Sequence, residues 1–138
     1  MPGKWVVYAD GASRGNPGPA SIGAVVYDEN GKEVHAVSRR LGRATNNEAE
    51  YQAAIAGLEA ALALGGGEVD LRMDSELIIR QLQFRYKVRN ERLRPFFNRI
   101  IELRNKFDVF SLEHVPREKN KRADQLANLA LDSGQDIG

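Results

Sequence analysis

The chain has 138 residues, of which 42% are hydrophobic and 28% are charged, and its formal net charge is +1. This composition suits one globular domain, so we expect residues 1–138 to form a single domain that buries about two-thirds of its unfolded surface. Cysteine is absent and there are two histidines, which excludes disulfides, thiolate zinc sites and a histidine metal cluster. A catalytic metal would therefore have oxygen ligands, which favours magnesium or manganese. Because no apolar run reaches roughly 18 residues and no signal peptide is evident, we expect a cytoplasmic protein without membrane contact.

Alternating and helical hydrophobic patterns predict five strands and four helices in the order β-β-β-α-β-α-α-β-α. The strands are expected at residues 5–10, 21–28, 32–41, 68–74 and 108–115. The helices are expected at residues 46–64, 75–84, 92–107 and 119–131. Residues 11–19 are rich in glycine and proline and are predicted as a turn. The order implies an α/β fold with a mixed five-stranded sheet flanked by helices.

The near-neutral net charge conceals a basic segment. Residues 77–107 contain nine basic and two acidic side chains, so the rest of the chain is acidic. This separation suggests a surface that holds a polyanion, although an ordinary solvated helical face explains the count equally well.

Two aspartates follow predicted strands. Asp10 comes after residues 5–9 and Asp74 after residues 68–73. If the two strands are parallel neighbours, both carboxylates lie at the edge of the sheet where ligands of open α/β sheets bind. Taken alone, Asp10 also fits an Asp-Gly turn, and Asp74 also fits an Asp-Ser helix cap.

Helix geometry distinguishes two glutamates at the start of the first helix. Thr45 and Glu48 have the spacing of a capping box, which gives Glu48 a structural role. Glu50 lies about 200° around the helix from Glu48, in line with Gly57 on the apolar side. Glu50 is therefore expected to face the sheet, although Gly57 could equally indicate tight packing alone.

A fourth acid, Asp124, precedes Ala127 and Leu131 on the same face of the last predicted helix. An ordinary acid in the first turn of a helix is the alternative explanation. Asp10, Glu50, Asp74 and Asp124 together would supply four oxygen ligands from four separate elements.

Four segments of the chain resemble the motifs of a known family: residues 8–18 (YADGASRGNPG), 45–51 (TNNEAEY), 73–76 (MDSE) and 114–128 (HVPREKNKRADQLAN). In order and spacing they resemble type 1 ribonuclease H across nearly the whole chain. The resemblance implies a ribonuclease H-like fold and endonucleolytic hydrolysis of the RNA strand of RNA/DNA hybrids by two Mg²⁺ ions, with Mn²⁺ as a substitute. It also implies 5′-phosphate and 3′-hydroxyl products, and metal binding by Asp10, Glu50, Asp74 and Asp124.

The family also uses an auxiliary residue on the loop before the last acid. His114 has the expected separation of ten residues from Asp124, but the loop is short, which favours Arg117 for this position. Arginine cannot act as a general base, so Arg117 would stabilise phosphate charge. The alternative for His114 is an exposed residue at the end of a strand.

The resemblance further implies contacts with the hybrid's minor groove. The corresponding residues are Gly11, Ser13, Asn16, Asn46 and Asn47, with Thr45 as a candidate for a phosphate of the DNA strand. The two asparagines could instead be helix caps, and Thr45 already suits the capping box. The basic handle insertion of other family members is expected to be absent, because only residues 86–90 connect the two basic helices.

Two other functions remain open from the residues: a phosphatase for a small phosphorylated metabolite, and a non-catalytic module that binds hybrids. We also expect a monomer that needs no small-molecule cofactor.

Overall fold

A computed structural model describes residues 3–138, which form five strands, four α-helices and one short 3₁₀ turn. The strands are β1 (Gly3–Ser13), β2 (Gly18–Tyr27), β3 (Glu33–Ala44), β4 (Gly67–Met73) and β5 (Val109–His114). The helices are α1 (Asn46–Ala63), α2 (Glu76–Leu82), α3 (Arg94–Arg104) and α4 (Lys121–Ser133), and the 3₁₀ turn is Arg117–Lys119. The predicted order of elements is confirmed.

The strands form one mixed sheet in the order β3-β2-β1-β4-β5. The first three strands pair antiparallel as a meander, whereas β4 lies parallel to both β1 and β5. The parallel pairing of β1 with β4 ends at Tyr8 and Arg72, so Asp10 and Asp74 each lie two residues beyond it, at the same edge of the sheet.

Several predicted boundaries are wrong: for example, β2 begins at Gly18 rather than at 21, and β3 ends at Ala44 rather than at 41. Asp10 does not end the first strand, since residues 11–13 of β1 continue to pair with β2 as far as Ala20, and the predicted turn 11–19 shrinks to residues 14–17. The third helix begins at Arg94 rather than at 92, with Pro95 in its first turn as expected. The last helix begins at Lys121 rather than at 119, because the preceding residues form the 3₁₀ turn.

Helices α1 and α4 cover opposite faces of the sheet. In β2, Ala24 faces α1, where a side chain at Gly57 would also meet Val7 at 2.4 Å. Three residues earlier the hydroxyl of Ser21 donates to the carbonyl of Ala127 in α4, and side chains three apart in a strand point to opposite faces. Glu50 in α1 and Asp124 in α4 therefore approach the sheet from opposite faces.

Residues 83–93 join α2 to α3 without a helix of their own. Over residues 3–138 no helix is both long enough and apolar enough to cross a lipid bilayer.

Candidate active site

One cleft of about 550 Å³ collects all four predicted acids, Asp10, Glu50, Asp74 and Asp124. Asp10 lies within β1, Glu50 in the second turn of α1, Asp74 directly after β4, and Asp124 in the first turn of α4. Carboxylate oxygens of Asp10, Glu50 and Asp74 lie within 4.8 Å of one another. Asp124 lines the same cleft and does not belong to this group of three. The chain thus brings together side chains that are up to 114 residues apart in the sequence.

The capping box at the start of α1 directs Glu48 and Glu50 to different environments. The hydroxyl of Thr45 accepts from the Glu48 amide at 3.2 Å, and the Glu48 carboxylate accepts from the Thr45 amide at 2.9 Å. Glu48 is thereby held at the helix end, while Glu50 points inward and is only 3% exposed. The distinction predicted from helix geometry is confirmed.

Gly11 allows Glu50 to reach the sheet. A Cβ atom at Gly11 would lie 2.3 Å from the carbonyl carbon of Ala49, so any larger residue would push α1 away from β1. The Gly11 amide donates to Glu50 Oε1 at 2.5 Å, whereas Glu50 Oε2 is buried and has no hydrogen-bond partner. This strand-to-helix contact fixes the carboxylate and leaves one oxygen available.

Burial and mutual repulsion hold these acids in an unfavourable electrostatic state. Burial raises the pKa of Asp10 far above its ordinary value, and Glu50, Asp124 and Asp74 add to the increase. Burial also raises the pKa of Glu50, although contacts with Asp10 and with the Gly11 amide partly offset the effect. A cation placed among these groups would relieve the repulsion and allow them to ionise.

The donor set fits a hard divalent cation. Three carboxylate oxygens converge within 4.8 Å, one buried oxygen of Glu50 lacks a partner, and no nitrogen or sulfur ligand lines the cleft. Oxygen ligands of this kind suit Mg²⁺ or Mn²⁺. Asp10, Glu50, Asp74 and Asp124 are therefore the residues that would hold such ions.

Of the two candidates for the auxiliary position, Arg117 lines the cleft and His114 does not. Arg117 is exposed on the 3₁₀ turn and also lines a small pocket together with Asp124. His114 is the last residue of β5, and its Nδ1 lies 4.0 Å from a carboxylate oxygen of Glu76. The geometry therefore favours Arg117.

The predicted substrate-contact residues divide into two groups. Gly11, Ser13 and Asn46 line the cleft, whereas Asn16, Thr45 and Asn47 are not among the residues that line it. The side chain of Asn16 accepts from the Asn46 amide at 3.1 Å, and Ser13 Oγ donates to the Ala44 carbonyl at 2.8 Å. These bonds hold the β1–β2 turn against the start of α1.

Asn128 also lines the cleft, and it has no role in the predictions from the sequence. Its side-chain amide donates to the carbonyl of Asp124 at 3.0 Å and to the Asp124 carboxylate at 3.3 Å. The signal was present in the sequence, because residues four apart on a helix are neighbours.

A mixed sheet in the order β3-β2-β1-β4-β5, with an acidic cleft beyond its central parallel strands, defines the ribonuclease H-like class of folds. A family model described as reverse transcriptase-like matches residues 8–130. The ribonuclease HI of Halobacterium salinarum is 48% identical over 130 residues, which cover 94% of this chain and 65% of that protein. A bifunctional protein of Mycobacterium tuberculosis is 46% identical over 131 residues, which cover 94% of this chain and 36% of that protein.

Solved structures agree with these relatives. The crystal structure of RNase H1 from Halobacterium salinarum matches with a TM-score of 0.93 at 48% identity, covering 95% of this chain and 99% of that chain. The crystal structure of LC11-RNase H1 in complex with an RNA/DNA hybrid matches with a TM-score of 0.89 at 44% identity, covering 94% of this chain and 98% of that chain. The chain belongs to the type 1 ribonuclease H family. It spans 65% of the length of the haloarchaeal relative and 36% of the length of the mycobacterial one.

Proposed function

We propose that this chain hydrolyses the RNA strand of RNA/DNA hybrids endonucleolytically, with two divalent metal ions and with 5′-phosphate and 3′-hydroxyl ends as products. The observation that carries the proposal is the convergence of Asp10, Glu50, Asp74 and Asp124 on one cleft. Family membership and the hybrid bound by LC11-RNase H1 support the choice of substrate.

The four acids would hold the ions, Mg²⁺ or Mn²⁺ by the chemistry of their oxygens. Two such ions, when bound, supply an activated water and neutralise charge on the attacking and leaving oxygens of a phosphodiester. The chain's own contribution is the fixed orientation of the ligands, because Glu50 is held by the Gly11 amide and Asp124 by Asn128.

Arg117 is the cation of this cleft that is best placed to face a phosphate. Its guanidinium carries a permanent charge and can form two parallel hydrogen bonds to phosphate oxygens. We assign it to the stabilisation of phosphate charge rather than to proton transfer, because an arginine cannot serve as a general base.

Ser13 and Asn46 lie on the rim of the same cleft and offer a hydroxyl and an amide. In an A-like duplex the minor groove is wide and presents the 2′-hydroxyls, which distinguish RNA from DNA. Polar side chains beside the acids therefore suit the reading of the RNA strand at the point of cleavage.

The basic segment extends this surface. Five exposed cations lie in or next to the α2–α3 connector, namely Arg85, Lys87, Arg89, Arg92 and Arg94. A hydrogen bond from the Thr45 amide lowers the pKa of Glu48 at the start of α1, and the charge of Arg92 adds to this effect. The exposed cations of the connector can contact the backbone of a bound duplex.

The proposal is tested with a labelled RNA/DNA hybrid beside single-stranded RNA, duplex RNA, duplex DNA and p-nitrophenyl phosphate, each with Mg²⁺ and with EDTA. We expect Mg²⁺-dependent cleavage inside the RNA strand of the hybrid, with products that accept a 5′ label only after phosphatase treatment. Asp10→Asn serves as the inactive control. Cleavage of the small ester alone would instead indicate a phosphatase, and binding of the hybrid without cleavage would indicate a non-catalytic module.

A further inference from the structure

Asn120 lies at the junction of three elements that carry acids. It directly precedes α4, is 1% exposed, and its side chain reaches both β1 and the end of β4. We propose that Asn120 is a positioning residue that orients the Asp74 carboxylate and holds the start of α4, with Asp124, against the sheet. This inference rests on the proposed function, because it concerns the geometry of the same cleft.

The contacts of Asn120 lead to three of the four acids. Its Nδ2 lies 3.0 Å from the carbonyl oxygen of Ala9, the residue before Asp10, and 3.5 Å from Asp74 Oδ1. Its own backbone carbonyl accepts from the Asp124 amide at 3.1 Å. One residue therefore contacts the backbone beside one acid, the carboxylate of a second and the amide of a third.

The orientation of the side-chain amide follows from its partners. The Ala9 carbonyl and the Asp74 carboxylate both accept hydrogen bonds, so the NH₂ group must face them. This orientation leaves Asn120 Oδ1 buried without a donor. Stability alone does not favour a buried polar atom without a partner.

The ordinary explanation for an asparagine before a helix is a cap, and the structure contradicts it. A capping side chain accepts a hydrogen bond from an amide in the first turn, but the side chain of Asn120 makes no such bond to α4. Its amide points back to the sheet instead. The side chain thus contacts β1 and Asp74 and does not cap the helix.

The consequence concerns cation affinity rather than substrate contact. A carboxylate that accepts a fixed hydrogen bond loses less freedom when it binds a metal ion, and removal of such a partner typically weakens binding 10–100-fold. Because Asn120 is 1% exposed, it offers no surface to a bound hybrid. Its loss should therefore lower kcat and leave the KM for hybrid within about twofold.

The test compares Asn120→Ala and Asn120→Leu with the wild-type protein. Ser38→Ala is the matched control, because Ser38 is also buried and donates to the carbonyl of Leu126 in α4, but it contacts no acid. Mn²⁺ affinity is measured by calorimetry and by the electron paramagnetic resonance signal of free Mn²⁺. Thermal unfolding in EDTA and steady-state kinetics on the hybrid are recorded for each variant.

We expect both Asn120 variants to bind Mn²⁺ at least tenfold more weakly than the wild type, and Ser38→Ala to bind it normally despite some loss of thermal stability. Wild-type Mn²⁺ affinity in a folded Asn120 variant would overturn the inference, and so would failure of both variants to fold where Ser38→Ala folds. If the wild type binds Mn²⁺ but cleaves no hybrid, the proposed function fails and the affinity comparison still decides the role of Asn120. If the wild type binds no Mn²⁺, both are overturned.

Discussion

Asp10→Asn should abolish activity and make the metal-free protein more stable. In the unfolded chain the carboxyl has its ordinary pKa of 3.8 and is ionised at pH 7. In the fold, burial raises this pKa, and interactions with Glu50, Asp124 and Asp74 raise it further. The carboxyl group therefore either keeps its proton or, when ionised, is repelled by the neighbouring acids. An asparagine of the same shape carries neither that proton nor that charge.

The size of the effect follows from the pH interval. Keeping the Asp10 carboxyl protonated at pH 7 costs about 1.36 kcal/mol for each pH unit above 3.8. The wild-type fold is therefore destabilised by at most about 4 kcal/mol. The buried asparagine amide of the variant offsets part of this gain, because a buried amide without hydrogen-bond partners costs about 1–3 kcal/mol. We therefore expect a net stabilisation of about 2 kcal/mol, or a rise in Tm of roughly 6–10 °C for a chain of this length.

The stabilisation by Asp10→Asn fades as the pH falls. Because the pKa of Asp10 is raised in the fold, the contribution of this group to stability is fully present below pH 3.8 and is lost as the pH rises towards the folded value. The difference in Tm between variant and wild type should thus be largest at pH 7 or above and shrink towards pH 4.

Thermal unfolding in EDTA from pH 4 to pH 8 measures this difference, with the exposed Asp108→Asn as the control. Added Mg²⁺ should raise the Tm of the wild type and act weakly on Asp10→Asn. A variant that is no more stable than the wild type at pH 7, or a difference that does not change with pH, would show that the acids are not under the strain described.

Three further results are expected. Gly11→Ala should lose about 1–3 kcal/mol of stability and most activity, because the new Cβ would lie 2.3 Å from the Ala49 backbone; unchanged stability by chemical denaturation would contradict this contact. Arg117→Ala should lower kcat about tenfold without a change in Tm while His114→Ala stays near wild type, and the opposite ranking in steady-state assays would reverse the assignment. If the five exposed cations around the α2–α3 connector each displace one counterion, affinity for hybrid should fall about 10²–10³-fold between 50 and 200 mM salt, and titrations insensitive to salt would remove that surface from the substrate site.

The sequence predicted those features that depend on residues close together in the chain. The spacing of Thr45 and Glu48 was enough to assign the capping box and to turn Glu50 towards the sheet. The order of strands and helices followed from hydrophobic periodicity, because each element has one buried face. The positions of the acids next to these elements then placed the cleft.

What the sequence did not predict depends on contacts between distant residues. The extension of β1 beyond Asp10 is decided by its pairing with β2, which the glycine-rich composition of residues 11–19 concealed. The contacts of Asn120 span 46 residues to Asp74 and 111 residues to Ala9, and no spacing rule anticipates them. Side-chain placement across the sheet required the folded structure.

The position of Asp10 inside a paired strand also bears on how the cleft responds to a cation. A carboxylate on a loop could swing into water when its neighbours repel it, and the repulsion would dissipate. The backbone of Asp10 is paired to β2, and this pairing continues for three residues beyond it. A shift of the backbone therefore cannot carry the Asp10 carboxylate away from its neighbours. The paired strand would therefore hold the Asp10 carboxylate in place for a cation before the cation binds, so binding would need no rearrangement of this strand.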